Sequence, residues 1–428
     1  MLYTVNGSDT GYTRSLTLWH PLTLETRLKL PSLHLICAAI ALLNAGDGIV
    51  ATVFPPFLDA QGYTVSDIGF VVSVFAILSL ISRMPSGLAY RPQRARQMML
   101  VSAGIYAVTL PLYSLTRSAM PLFAVRSISG FAFGAATTLN MALLMDILPQ
   151  GSTRSRVMAF YAASMTGGYA IGNSIGGWMG DAFGYDWTFC VASIAPLMAA
   201  FLTPRLAVAA NSARTSTPPT TTSKHSLRAK LKQASSSQIV PIAQLAFTLN
   251  ALLYVVTTFF PLYGLASGLS LTSIGFLRGV HSIFGAVTRP LSGEATRLAS
   301  SDRLANGGII LVALLTALIP SFTTMMVFIP LFVLLGTIRG VVMVSNTISL
   351  AEEVGTDPQR RGVASGIFNA AKDLGNIFGP VLGGLVAAGT GIENMLRIVP
   401  TVLLVAYFAV LIATIRSRRE AIPAANGE

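Results

Sequence analysis

Twelve apolar stretches, separated by short polar gaps, run along the 428-residue chain at approximately 33–58, 66–90, 97–116, 119–147, 156–183, 187–204, 238–262, 272–296, 303–320, 323–350, 362–389 and 394–415. An α-helix needs about 20 apolar residues to cross a bilayer, so each stretch predicts one crossing. Residues 205–237 interrupt the pattern with serine, threonine, proline and basic residues, among them Ser216-Thr217-Pro218-Pro219-Thr220, which predicts a flexible linker. The expected organisation is a cytoplasmic segment 1–31, a six-helix bundle 32–204, a cytoplasmic linker 205–237, a second six-helix bundle 238–416 and a cytoplasmic tail 417–428. Residues 1–31 hold no short apolar core with a small-residue cleavage site, so no cleaved signal peptide is expected.

The two halves repeat each other. Thr52, Phe54, Pro55, Gly62, Ile68, Gly69 and Phe70 return as Thr258, Phe260, Pro261, Gly268, Ile274, Gly275 and Phe276, each displaced by 206. Arg83 and Gly87 return as Arg289 and Gly293 at the same displacement, and Gly168, Gly172, Gly176 and Gly177 as Gly375, Gly379, Gly383 and Gly384 at 207. Because six is even, both halves enter the membrane from the same side, as parallel repeats about an axis along its normal. The predicted fold class is an all-α polytopic membrane protein, with twelve transmembrane helices in two pseudo-symmetric six-helix bundles. A site at the midplane between the halves is expected, which is a transporter architecture.

Composition agrees. Hydrophobic residues make up 53% of the chain and charged ones 11%, against about 25% charged in soluble domains. The net charge of +12 raises the question of nucleic acid. Most of the lysines and arginines fall in alternate gaps, however, around Arg91, Arg94 and Arg96, around Arg154, through the linker, and around Arg297, Arg360 and Arg416. That is the positive-inside pattern; it predicts cytoplasmic termini and argues against a nucleic-acid partner. Cys37 and Cys190 stand in no metal-ligand spacing, and no cofactor or metal is expected. Neither H-E-x-x-H nor G-x-x-x-x-G-K-[ST] occurs, so the chain is not expected to be an enzyme or an ATP-driven pump.

Three motifs allow a resemblance to be named. Gly168-x-x-x-Gly172-Asn173-x-x-Gly176-Gly177 resembles the fifth-helix antiporter motif, with Asn173 in place of its proline; the second copy keeps Pro380 between Gly379 and Gly383. Arg126-x-x-x-Gly130 resembles the fourth-helix arginine motif. Gly87-Leu88-Ala89-Tyr90-Arg91 resembles the loop between helices two and three, with Tyr90 in place of its aspartate and one residue missing. Over nearly its full length the chain resembles the major facilitator superfamily, in its proton-driven exporter branch of drug or metabolite antiporters. That resemblance implies alternating access driven by the proton-motive force.

Ionisable residues inside the apolar stretches are the functional candidates, since a charge at mid-bilayer costs about 2.5–3.5 kcal/mol. Asp47 lies deep in the first helix, in Asn44-Ala45-Gly46-Asp47-Gly48. It is either a proton carrier, a permanent ion-pair partner, or a residue at a helix break made by the two glycines. Arg126 is its expected counterpart, with a structural cation bonding backbone carbonyls as the other reading. His281 joins the proton-coupling candidates, or else serves a packed hydrogen bond. Asn44, Asn140, Asn250, Arg278, Arg339, Lys372 and Asp373 are candidates for the substrate cavity, with Asp373 able to neutralise Lys372 or Arg339. The asparagines could equally bond between helices. The cationic excess favours an anionic or zwitterionic substrate.

Gating is expected at the charged cytoplasmic ends: Asp146 with Arg91, Arg94 or Arg154; Glu352 and Glu353 with Arg297, Arg360 or Arg361; and Arg83 and Arg289 in the same clusters or as interfacial anchors. Gly168, Gly172 and Gly176, with Gly375, Gly379 and Pro380, are expected at the seam between the halves, where backbones approach closely; a static packing seam is the other reading. The expected function is proton-coupled efflux of a small organic molecule by a monomer in a bacterial inner membrane. An importer of a siderophore or organic acid, and a transport-inactive receptor or scaffold, are the alternatives.

Overall fold

The computed structural model describes residues 24–91, 93–116, 118–147, 153–202, 239–355 and 358–425. The expected linker and most of the N-terminal segment lie outside the described residues. The first half contains α1 (Leu24–Ala60), α2 (Val65–Ala89), α3 (Ala95–Leu115), α4 (Ala119–Ile147), α5 (Thr153–Ala192) and α6 (Ile194–Leu202). The second contains α7 (Ile239–Ala266), α8 (Leu271–Leu298), α9 (Ser301–Leu318), α10 (Met325–Val354), α11 (Pro358–Thr390) and α12 (Ile392–Ala425), with no strand among the described residues. α1 begins at Leu24 rather than near residue 33, because a helix can run past the apolar stretch that anchors it.

Nine helical stretches among the described residues are long and apolar enough to span a membrane. One of these, Val157–Leu202, is 46 residues long and reverses at Gly184, so it supplies two crossings. α8 and α11 are less apolar because they contain Arg278, His281 and Arg289, and Lys372 and Asp373. These two helices pack between the halves, where charge can be held inside protein rather than in lipid. Large exposed side chains such as Leu115, Met120, Val108 and Phe201 form the lipid-facing surface.

The repeat persists in three dimensions. Gly62 and Gly268 turn the chain at φ +83° and +82°, Gly184 and Gly391 at +78° and +82°; a side chain at such positive φ is strained. Asn140 of α4 donates to the Ile36 carbonyl of α1 at 3.3 Å, and Asn346 of α10 to the Ile242 carbonyl of α7 at 3.1 Å. Asn44 and Asn250 each donate to the carbonyl one turn back in their own helix, at 2.7 and 2.8 Å. All of these pairs keep the displacement of 206 or 207.

Two helix pairs make most of the junction between the halves, α5 against α8 and α2 against α11, and α1 also packs on α7. Glycines permit both. A Cβ on Gly177 would lie 2.2 Å from the Leu271 carbonyl oxygen, and one on Gly275 2.4 Å from that of Asn173; one on Gly69 would lie 2.2 Å from the Pro380 carbonyl oxygen. The seam is therefore built from Gly69, Gly177, Gly275 and Gly384. Gly168, Gly172 and Gly176 do not line it, contrary to the sequence expectation. A Cβ on any of them would strike the backbone of Ala41, Ala45 or Ile49 in α1, and Gly375 and Gly379 likewise close α11 onto Phe247 and Ala251 of α7. The four-residue spacing names one close-packed helix face; it does not say which neighbour fills it. Pro380 does lie at the seam.

Candidate functional site

α1 continues unbroken through Gly46 and Gly48, so the helix-break reading of Asp47 is not met. Both glycines serve packing instead: a Cβ would lie 2.9 Å from Pro196 at Gly46 and 2.9 Å from the Tyr169 carbonyl oxygen at Gly48. The close approach of α5 places the Tyr169 side chain beside Asp47, which is 9% exposed. Tyr169 donates to Oδ2 at 2.8 Å and Tyr106 of α3 to Oδ1 at 3.4 Å. Asp47 makes no ion pair among the described residues; Arg126 and Arg278 act on it only through space. Hydrogen bonds to a charged group contribute about 1.5–3 kcal/mol each. Two of them offset an insertion cost of about 2.5–3.5 kcal/mol, so the carboxylate is held without a permanent counter-ion.

Arg126 does not touch Asp47. Its guanidinium lies between two rings, 4.2 Å from the centroid of Phe54 and 4.4 Å from that of Phe75. It donates to the Tyr113 hydroxyl at 3.3 Å, and that hydroxyl also bonds Ser129. The backbone-carbonyl bonds of the other reading are not formed among the described residues, and its Nε has no partner there. A desolvated cation–π contact contributes about 2 kcal/mol, so two faces stabilise this cation without an acid. The second half answers with an uncharged version: Phe332, displaced by 206 from Arg126, packs on Phe260 at 4.5 Å and edge-on to His281 at 6.3 Å.

Arg278, 6% exposed, reaches across the seam from α8 and donates to the Ala51 carbonyl of α1 at 2.6 Å. That acceptor is free because Pro55, one turn on, has no N–H to give it. Arg278 thus fastens the second half to the helix turn next to Asp47. His281 and Arg339 flank a small cavity of about 20 Å³ within the second half, otherwise mostly apolar. His281 has no hydrogen-bond partner among the described residues, so its packed-hydrogen-bond reading is not met. Asp373 pairs with Arg83 of α2 at 2.7 Å, joining the halves, and is not the partner of Lys372 or Arg339. Lys372 lies over the Phe368 ring at 5.8 Å.

Asn140 is fully buried in the α4–α1 bond and, like Asn44, faces packing rather than a cavity. Asp146 accepts a hydrogen bond from the Tyr90 hydroxyl, and none from Arg91 or Arg94. The tyrosine that replaces the motif's aspartate therefore rebuilds a link between α2 and α4. Burial and the adjacent carboxylate push the Tyr90 phenol above its ordinary range, keeping it a donor. Arg91 donates to the carbonyl of Tyr90, its neighbour, and Arg94 is exposed at the start of α3. Arg289 is half-buried with its Nε unpartnered. Glu352 is exposed; its expected partners Arg297, Arg360 and Arg361 have side chains outside the described residues, as does Arg154.

Sequence reasoning missed Tyr106, Tyr169 and the Phe54–Phe75–Tyr113 box. Only the seven-residue spacing of Tyr106 and Tyr113, which places both on one face of α3, hinted at them. It also missed Asp181. From α5, just before its break at Gly184, its carboxylate accepts from the Leu271 and Thr272 amides at 3.0 and 2.7 Å and from the Thr272 hydroxyl at 2.6 Å, capping α8 in the other half.

Two pseudo-symmetric helical bundles meeting at a glycine-lined seam, with a lone carboxylate and unpaired cations within them, define a membrane transporter rather than an enzyme. The chain belongs to the Major Facilitator Superfamily, whose family model matches residues 36–377. It is 21% identical over 360 residues to an uncharacterized MFS-type transporter of Methanocaldococcus jannaschii, covering 82% of this chain and 90% of that one. It is 23% identical over 356 residues to Multidrug resistance protein 2 of Bacillus subtilis, covering 80% and 85%. Among solved structures it resembles a bacterial homolog of the human lysosomal transporter Spinster, inward-facing and unoccupied. That match has a TM-score of 0.73 and 12% identity, covers 92% of this chain and 98% of that one, and shows the fold.

Proposed function

We propose that this integral membrane protein exports a small organic molecule in exchange for protons, with Asp47 as the proton carrier. The observation that carries the proposal is a buried carboxylate in α1 held by two tyrosine hydroxyls and no cation. A carboxylate fixed by donors alone can release them and take a proton when water reaches it from the other side. Arg126, boxed by Phe54 and Phe75, and Arg278, on the neighbouring turn of α1, set the field in which Asp47 works. One inward proton releases about 2.3 kcal/mol per 100 mV, which drives solute the other way.

The name of the Bacillus subtilis relative supports export. Alternation of the basic gaps supports cytoplasmic termini, and the reading takes the protein to act as a monomer in a bacterial inner membrane. On that orientation the end holding Thr64 and Ser270 faces outward, and the glycine seam and Asp181 close it. Proteoliposomes of known orientation with an imposed proton gradient test the proposal. Asp47→Asn is expected to abolish gradient-driven flux while the protein stays folded and monodisperse; undiminished flux in that variant would refute the role of Asp47.

A further inference from the structure

Arg289, Arg339 and Lys372 make no ion pair and no hydrogen bond to another described residue. They nevertheless lie close enough that the charges of Arg289 and Arg339 act on Lys372 and that of Arg289 acts on Arg339. The fold brings them together. Along α8, Arg278, His281, Gly285 and Arg289 recur at helical spacing on one face. Gly285 lets α10 approach so closely that a Cβ there would lie 3.3 Å from the Gly336 carbonyl oxygen and 3.8 Å from an Arg339 nitrogen. Lys372 enters from α11, over the Phe368 ring.

The nearby acid, Asp373, makes its ion pair with Arg83 across the seam at 2.7 Å and acts on Lys372 only through space. The repeat explains why Arg289 is left over. It is the copy of Arg83, but Thr166 stands where the other half has Asp373, so this copy of the pair lacks its carboxylate. Burying unpaired charge is expensive unless a counter-charge arrives. Four cations sharing one carboxylate leave room for more negative charge.

We propose that Arg289, Arg339 and Lys372 form an anion-binding site for the transported molecule, taking its carboxylate or phosphate group. This rests on the transporter reading above, and names the substrate class. Arginine and lysine together suit such a group: the guanidinium forks bind two oxygens, and the ammonium adds a point charge.

Isothermal titration of the full-length protein in lipid nanodiscs, at low salt and without a proton gradient, tests this with three probes: glutarate, phenyl phosphate and tetraphenylphosphonium. Saturable binding of glutarate or of phenyl phosphate is expected, and the one that binds distinguishes carboxylate from phosphate. Affinity should fall at least about tenfold in Arg339→Gln and in Lys372→Gln, a difference of about 1.4 kcal/mol. The charge-conserving Arg339→Lys and Lys372→Arg should recover most of it, which separates lost charge from lost fold. The anion site is overturned if neither anion binds, if only tetraphenylphosphonium binds, or if the glutamine variants bind the anion unchanged. Gradient-driven flux surviving such a result would leave the proton-exchange reading standing; anion binding without gradient-driven flux would remove that reading alone.

Discussion

At the residue scale, each buried charge in this protein is stabilised differently, and the difference separates their roles. Arg126 has ring faces and a phenol, Arg278 a carbonyl freed by Pro55, and Asp47 two tyrosine hydroxyls. The first two arrangements can persist through a transport cycle, while the hydroxyls around Asp47 can donate elsewhere when it is protonated. Away from the membrane core, the Tyr90–Asp146 link gives a pH-dependent prediction. Because the folded-state phenol titrates above its unfolded value of about 10, its contribution to stability is full below that value and falls as pH rises past it. Tyr90→Phe should therefore lose the wild-type advantage at pH 7.5, and the difference in melting temperature between the two proteins should shrink between pH 9.5 and 11.

At the element scale, small residues decide which helices touch. Gly168, Gly172 and Gly176 bind α5 to α1, whereas Gly177, one position on, faces α8 of the other half. Adding a methyl where backbone lies 2.2 Å away forces displacement, and overpacking typically costs about 1–3 kcal/mol. Gly177→Ala should lower the melting temperature by several degrees and reduce flux. Gly167→Ala, where a Cβ meets nothing within 4 Å, should change neither. Equal melting temperatures for the two variants would remove Gly177 from the seam.

At the scale of the whole molecule, the halves are held together by a few discrete contacts: the glycine seam, Arg83–Asp373, Arg278 on Ala51, and the Asp181 cap on α8. A carboxylate at a helix N-terminus gains from both amide bonds and the helix dipole. Asp181→Ala should therefore loosen the closed end. Spin labels at Gln61 and Ser267, one on each half, should report a longer and broader distance distribution; an unchanged distribution would show that the glycine seam holds that end closed without the cap.

The sequence by itself determined the class, the twelve stretches, the duplication and the depth of Asp47, because apolar length and a fixed displacement are properties of the chain read along its length. It also marked nearly every buried charge, since such charges are rare among apolar neighbours. Only the tertiary structure decided partners. Periodicity gives the face a side chain occupies, but the neighbour across that face comes from distant residues: Tyr169 for Asp47, Phe54 and Phe75 for Arg126, Arg83 for Asp373, Tyr90 for Asp146. Asn140 and Asn346 make the point sharply, because as polar residues in apolar helices they look like cavity residues until the carbonyls of Ile36 and Ile242 are found within reach.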